Sequence, residues 1–194
     1  MLRFDEEQHR YFLRNRELPS VTHIIDHVLQ DLSHIPPDVL RAAGNRGTAV
    51  HKACELADLG TLDYGALDPA LFPYVEAWER FKAETKFVPI RVEARVHSEV
   101  YGYAGTLDRI GSMNYRETLI DIKSGEVYPS AGVQLAAYNK AALERGLIAG
   151  LLPRYAVQLR DDGTYSLHPF TDSVDFNVFA AALQIYHFKQ RKSA

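Results

Sequence analysis

Cysteine is nearly missing from this chain. One residue, Cys54, among 194 excludes an internal disulfide framework and any four-cysteine zinc or iron–sulfur site, and it points to a reducing compartment. Long apolar runs are missing too. None approaches the roughly 18 residues of a membrane span, and the opening MLRFDEEQHR is charged from its third residue, unlike a secretory leader. We therefore expect no membrane partner and a cytoplasmic location. A basic excess is also lacking, with a net charge of −3 and a pI of about 6.2. An anionic partner must then be met by a local cluster or through a bound cation, because no global basic field exists to attract it. There is no GxxxxGK[ST] phosphate loop to support ATP hydrolysis by that route, and no internal repeat or low-complexity linker.

What is present is enough apolar residue, 46% of the chain, to build a sizeable core, and the length suits one domain. We expect an N-terminal piece over 1–37 and a core over 38–194. The opening LRFDEEQHRYFL, followed by RNRE, reads as a short hairpin with Phe4, Tyr11 and Phe12 as its apolar residues and Asn15 in the turn. Ser20, after Pro19, is placed to cap a helix from Val21 to about Leu29. His23 and His27 lie four apart on that helix and could share a metal. No third ligand stands near them in sequence, so two solvated or core-edge histidines is the simpler reading.

From Asp38 to Leu59 the residues are mostly good helix formers, interrupted by Gly44 and Gly47. In the second half Val50, Ala53, Cys54 and Ala57 form a small apolar stripe, and His51 and Glu55 stand four apart on an adjoining face. A second amphipathic helix follows over 71–87, with Val75, Trp78 and Phe81 inward. The period then changes to alternation: RVEARVH at 91–97 puts Val92, Ala94 and Val96 on one face and Arg91, Glu93 and Arg95 on the other. Glu93 is either a solvated partner of those arginines or a member of the acid group on the neighbouring strands.

The most informative stretch is GTLDRIGSMNYRETLIDIKSGEVYPSAGVQLAAY, residues 105–138. Met113-Asn114-Tyr115-Arg116 reads as a tight hairpin turn. Counting outward from it opposes 113 to 116 and, five steps on, Asp108 to Asp121. Opposed carboxylates are destabilising unless something positive lies between them, and a divalent cation supplies that charge. Asp121 and Lys123 share one strand face with Leu119, while Ile120 and Ile122 share the other. Beyond Gly125 a helix is expected from about Ser130 to Arg145, stopped by Gly146, with Gln134 and Tyr138 on one face. The chain closes with a hairpin turning at Asp161-Asp162-Gly163 and a helix from Asp172 or Ser173 that buries Phe176, Phe179, Leu183 and Tyr186. Arg41, Arg46, Lys52, Arg109 and Lys140 are the candidate phosphate contacts.

GTLDRI, LIDIKSG and QLAAY, in that order, resemble the motif series of the PD-(D/E)XK nuclease superfamily in its RecB-like branch. RGTAVHKACE is similar to the histidine-bearing helix that precedes the core there, and HRYFLRNRELPSVTHII to the start of phage-encoded members. A lone D…DxK arises by chance; four pieces in this order are more specific. The resemblance implies an α/β, restriction-endonuclease-like core, with a central mixed sheet flanked by helices, and a phosphodiesterase that uses Mg²⁺ or Mn²⁺, one ion or two. It implies that His51, Asp108, Asp121 and the Ile122 main-chain carbonyl hold the metal. Lys123 would assist the attacking water, and Gln134 and Tyr138 would support the site or the nucleic-acid backbone. Glu55 and Glu93 match less closely. DNA is the implied substrate, with a recombination or single-strand-binding protein as a partner and an exonuclease as the expected activity; a phage protein acting in its host's cytoplasm fits. A non-cleaving nucleic-acid-binding module and an RNA-processing nuclease are the alternatives. The chemistry agrees with the implied roles: Mg²⁺ takes a few carboxylate oxygens and keeps several waters, and a lysine beside the acids can offset charge developing on phosphorus.

Overall fold

The computed structural model describes residues 1–31 and 33–191. Its centre is a five-stranded mixed sheet in the order β4-β5-β6-β7-β8, formed by Val88–Ser98, Tyr103–Met113, Arg116–Lys123, Arg154–Leu159 and Tyr165–Phe170. All neighbours run antiparallel except β6 and β7, which are parallel. Parallel neighbours need a long crossover, and here it contains the helix Ser130–Glu144, α4. The other helices are α1 (Val21–Val28), α2 (Pro37–Asp58), α3 (Phe72–Thr85) and α5 (Asp175–Arg191).

Alternation along β6 separates two apolar cores. Leu119 packs with α1, α4 and α5 residues, including Ile24, Leu135, Phe179 and Leu183. Ile120 and Ile122 pack on the other side with Val50 and Cys54 of α2 and Trp78 and Phe81 of α3. The expected α/β architecture, a central mixed sheet flanked by helices, is present. None of the helices among the described residues is long and apolar enough to cross a membrane.

Several local expectations meet their physical signals. Ser20 caps α1 by accepting from the His23 N–H at 3.1 Å. The β5–β6 turn has Asn114 and Tyr115 both at positive φ, as a two-residue hairpin loop of this hand requires. Gly146, with φ of +65°, follows the end of α4. Phe179 and Leu183 of α5 are buried, whereas Phe176 and Tyr186 are only partly so.

Others differ. The N-terminal piece is a three-stranded antiparallel sheet rather than a single hairpin: β1 (Leu2–Asp5), β2 (Arg10–Leu13) and β3 (Arg16–Leu18). Asn15 is in its second turn, alongside Arg14, both at positive φ. Helix α2 runs unbroken through Gly44 and Gly47. Each glycine costs about 1 kcal/mol against alanine, but Pro37 in the first turn has no N–H to lose, and Val50, Ala53 and Cys54 anchor the second half in the core. The first three turns of α2 project with almost every residue exposed. Strand β4 starts earlier than its alternating pattern, with a register shift between Pro89 and Arg91.

Candidate functional site

A cleft of about 460 Å³ opens where α1, α2 and α4 meet the β4–β5–β6 part of the sheet. Its walls carry His51 and Glu55 of α2, Glu93 of β4, Asp108 of β5, Asp121 and Lys123 of β6, and Gln134 and Tyr138 of α4. The side chains that the resemblance implies for the site thus line one space. Ile122 contributes through its backbone: its carbonyl lies 2.8 Å from His51 Nε2.

The strand register explains why the acids converge here. The β5–β6 ladder follows the expected pairing from Met113–Arg116 to Arg109–Ile120 and stops there. The next pair, Asp108 and Asp121, does not close. Instead the Asp108 carboxylate accepts the Ile122 N–H at 2.6 Å, filling the place of a ladder bond while β6 goes on to pair with β7 through Lys123. The direct opposition of two acids expected from the count is therefore replaced by a side-chain-to-backbone bridge. Asp108 Oδ2 also lies 3.6 Å from His51 Nδ1.

The group with ligand spacing is His51, Glu93 and Asp108. One donor atom from each lies within 4.8 Å of the others, a span close to the roughly 4.2 Å between opposite ligands of a six-coordinate ion with bonds of about 2.1 Å. Glu93 thus joins the acids and is not a solvated partner of Arg91 and Arg95. Asp121 lies in the same cleft but outside this group. Glu55 is held by Lys52 at 2.8 Å on the adjoining face of α2.

Asp121 is buried, and burial pushes its carboxyl up to about 6, with Lys123 pulling it back and Asp108 adding to the rise. Lys123 Nζ is 2.8 Å from Asp121 Oδ2. It lies off the line of a hydrogen bond, so that buried oxygen has no aligned donor. Glu93 is raised to about 7 by burial first and by the Asp108 charge second, despite its contact with Arg109. Lys123 and Arg109 do not offset the burial of these two carboxylates in full, and a hard divalent cation at the cleft would supply further positive charge. The donor set of two to three carboxylates, a carbonyl and one imidazole fits such an ion.

Lys123 has the opposite balance. Burial pulls its ammonium down, but the Asp121 and Asp108 carboxylates outweigh that and hold it above lysine's ordinary value. Lys123 Nζ donates to Gln134 Oε1 at 3.2 Å, and Gln134 Nε2 donates to the Tyr138 hydroxyl at 3.3 Å. That hydroxyl also meets Thr22 Oγ1 at 3.5 Å, and burial keeps it a neutral phenol. The chain of bonds needs Gly105. A Cβ there would meet Tyr138 Cε1 at 2.5 Å, so the glycine of GTLD makes room for the tyrosine of QLAAY.

Sequence reasoning missed three contributors. Arg109, grouped above with phosphate contacts, is fully buried. Its Nε donates to Asp58 at 2.7 Å, and its Nη1 donates to Glu93 and to the Asp108 carbonyl, each at 2.8 Å. It cannot reach a phosphate; it ties the end of α2 to the strands that carry two acids. Asp58, the last residue of α2, drew no attention in the sequence, yet its side chain is fully buried beneath Arg109, Lys82 and Trp78 Nε1. Thr22 sits on the α1 face toward the cleft. The charge run inside DRI, one residue after the acid, was the available signal for Arg109. Of the other basic residues, Arg41 and Arg46 are exposed on the projecting half of α2, and Lys140 lines a separate groove. That groove is larger, about 640 Å³, but its Arg154 is engaged by the Gly132 and Asp172 carbonyls and Asp175. His23 and His27 stack with ring centroids 5.9 Å apart, edge-on to Tyr186, and no third ligand joins them among the described residues.

Neither protein-family models nor the curated proteins match this chain. Among solved structures, a presumed exonuclease from Eubacterium rectale aligns with a TM-score of 0.49 at 10% identity, over 74% of this chain and 65% of its own. The chain therefore spans less than two-thirds of that protein's length. An alkaline exonuclease from Laribacter hongkongensis aligns with a TM-score of 0.37 at 15% identity, over 90% of this chain and 92% of its own.

Proposed function

We propose that this chain is a metal-dependent DNA nuclease of PD-(D/E)XK type, one nuclease domain with the three-stranded sheet and α1 at its front, and that it acts as an exonuclease. The observation that carries the reading is the convergence of the His51, Glu93 and Asp108 donors within 4.8 Å, beside a lysine held by Gln134. The preference for exonuclease over sequence-specific endonuclease rests on the RecB-like motif series alone.

His51, Asp108, Asp121, Glu93 and the Ile122 carbonyl would hold Mg²⁺ or Mn²⁺. Such an ion polarises a phosphoryl oxygen and acidifies a bound water. The rest falls to the chain itself. Lys123 keeps its proton, so its part is to orient the attacking water and to offset charge gathering on the phosphoryl oxygens, not to act as a base. Of its three N–H donors, one is used by Gln134 and one leans on Asp121, which leaves the third for substrate. Gln134 and Tyr138 keep the lysine pointed into the cleft. Arg109 and Asp58 hold Glu93 and the His51 helix in place.

The test is degradation of labelled single- and double-stranded DNA with Mg²⁺, Mn²⁺ or chelator, by the wild type, Asp108→Asn and Lys123→Ala. Metal-dependent loss of DNA by the wild type alone is expected. Equal degradation by all three would identify a contaminant. Metal-independent binding without turnover would favour the non-cleaving module, and faster loss of competing RNA would reassign the substrate.

A further inference from the structure

The three-stranded sheet at the front of the chain reaches the cleft with His9, in the β1–β2 turn, and with Tyr11 of β2. The charged side chains of the cleft and Gln134 are tied to one another or to the backbone beside them. Of the hydroxyls, Tyr11 and Thr106 hold each other at 2.8 Å, Thr48 donates to the Gly44 carbonyl at 3.1 Å, Ser20 caps α1 and Thr22 meets Tyr138. Among the described residues, His9 is the one polar side chain of the cleft with no hydrogen bond or ion pair. Its position is nonetheless set. The ring stands edge to face with Phe4, centroids 5.0 Å apart at 88°, and with Tyr11, 5.9 Å apart at 86°. The bond from Tyr11 to Thr106 fastens these rings to β5, where Thr106 and Asp108 share a strand face about 7 Å apart. His9 is not a member of the converging ligand group. Nor does the turn need an imidazole: its own hydrogen bond runs from the Gln8 N–H to the Asp5 carboxylate at 3.1 Å, and His9 has a φ of +50°, which glycine adopts with less strain.

We infer that His9 is a substrate contact, donating an imidazole N–H to a phosphate that flanks the scissile one. The inference rests on the nuclease reading above. A strand that sets one phosphate at the ligand donors carries a neighbouring phosphate along the same wall, where Glu93 and Asp108 repel it and the Thr106 hydroxyl is already bonded to Tyr11. That phosphate needs a donor, and His9 has one unused. Imidazole keeps at least one N–H whether neutral or charged, so the contact does not wait on protonation of the ring. A contact to the backbone positions the strand and reads no base.

Steady-state cleavage of labelled oligo-dT and oligo-dA strands with Mg²⁺ or Mn²⁺ tests this on the full chain. His9→Gly suits the backbone of the turn but has no donor; its KM should rise about tenfold, with kcat changed by roughly twofold or less, as when binding common to the ground and transition states is lost. His9→Asn and His9→Gln place an amide N–H near the positions of Nδ1 and Nε2, and one of them should bring KM back to within about threefold of the wild type. Melting temperature and divalent-ion affinity should match the wild type in all of these variants, which a residue supporting the fold or the metal group would not allow. The rise in KM should be the same on both strands. An unchanged KM in His9→Gly would overturn the contact, as would a rise that neither amide relieves, a loss confined to kcat, or a matching loss of ion affinity. A rise on one base alone would overturn the assignment to phosphate. A wild type that degrades neither strand would remove the nuclease reading and this inference with it, whereas an active wild type beside an indifferent His9→Gly removes the contact only.

Discussion

Replacing Arg109 by methionine removes a buried guanidinium while keeping an unbranched side chain of similar reach. In the wild type that group joins Asp58 of α2 to Glu93 of β4 and to the Asp108 carbonyl, and the Arg109 and Asp58 side chains are both 0% exposed. Breaking a buried ion pair from one side costs about 3–5 kcal/mol, most of it from the charge left behind. Here Asp58 Oδ1 keeps Lys82 at 2.8 Å and Trp78 Nε1 at 2.9 Å, so only Oδ2 is orphaned. The loss should fall at the low end, about 3 kcal/mol. Urea unfolding of Arg109→Met, Asp58→Leu and the double variant measures it, and the double variant should lie about 2 kcal/mol short of the sum of the two singles. Divalent-ion calorimetry on Arg109→Met should show affinity reduced about tenfold or more, because Glu93 loses its anchor. Additive losses within about 0.5 kcal/mol, together with unchanged ion affinity, would refute the view of Arg109 as the tie between α2 and the acids.

Four further outcomes follow from the same geometry. Gly105→Ala should cost about 1–3 kcal/mol by overpacking, and part of that loss should return when Tyr138→Ala removes the ring it strikes; no recovery in the double variant would dissociate the glycine from the tyrosine. Without divalent ions, Asp121 and Glu93 bind protons more tightly folded than unfolded, so stability should fall as pH rises from about 4 toward 7, the opposite of a salt-bridged carboxylate. Urea midpoints across that range check the sign, and Asp121→Asn should flatten the slope. Mg²⁺ or Mn²⁺ at a hundredfold excess over its dissociation constant should add about 2.7 kcal/mol, a rise of about 5–10 °C in melting temperature, and Asp108→Asn should abolish it. Lys123→Met should retain that melting shift while losing about a hundredfold or more in cleavage rate; loss of both together would move the lysine from the reaction to the folding of the site.

The chain's own letters were enough for the parts governed by near neighbours. The turn at Asn114-Tyr115 sets the count along β5 and β6, and the alternation of Leu119, Ile120, Asp121, Ile122 and Lys123 decides which side chains face which layer, because the strand period is two and leaves no choice. Capping by Ser20 and the stop at Gly146 are equally local. The contribution of Glu93 could not be read this way. It depends on how β4 lies against β5 and on a backbone bend at Glu93 itself, where φ is +47°. Arg109 resembled a phosphate contact because a charge in a strand is usually solvated, and only the approach of Asp58 from the end of α2 shows that it is enclosed. The Asp108–Asp121 opposition likewise gave way to the Ile122 N–H, since β6 takes a new partner in β7 at that point. Sequence thus decides facing and register over a few residues. Which charges end up sharing a dry space is decided by elements far apart in the chain, because burial and electrostatic compensation exist only once those elements have packed.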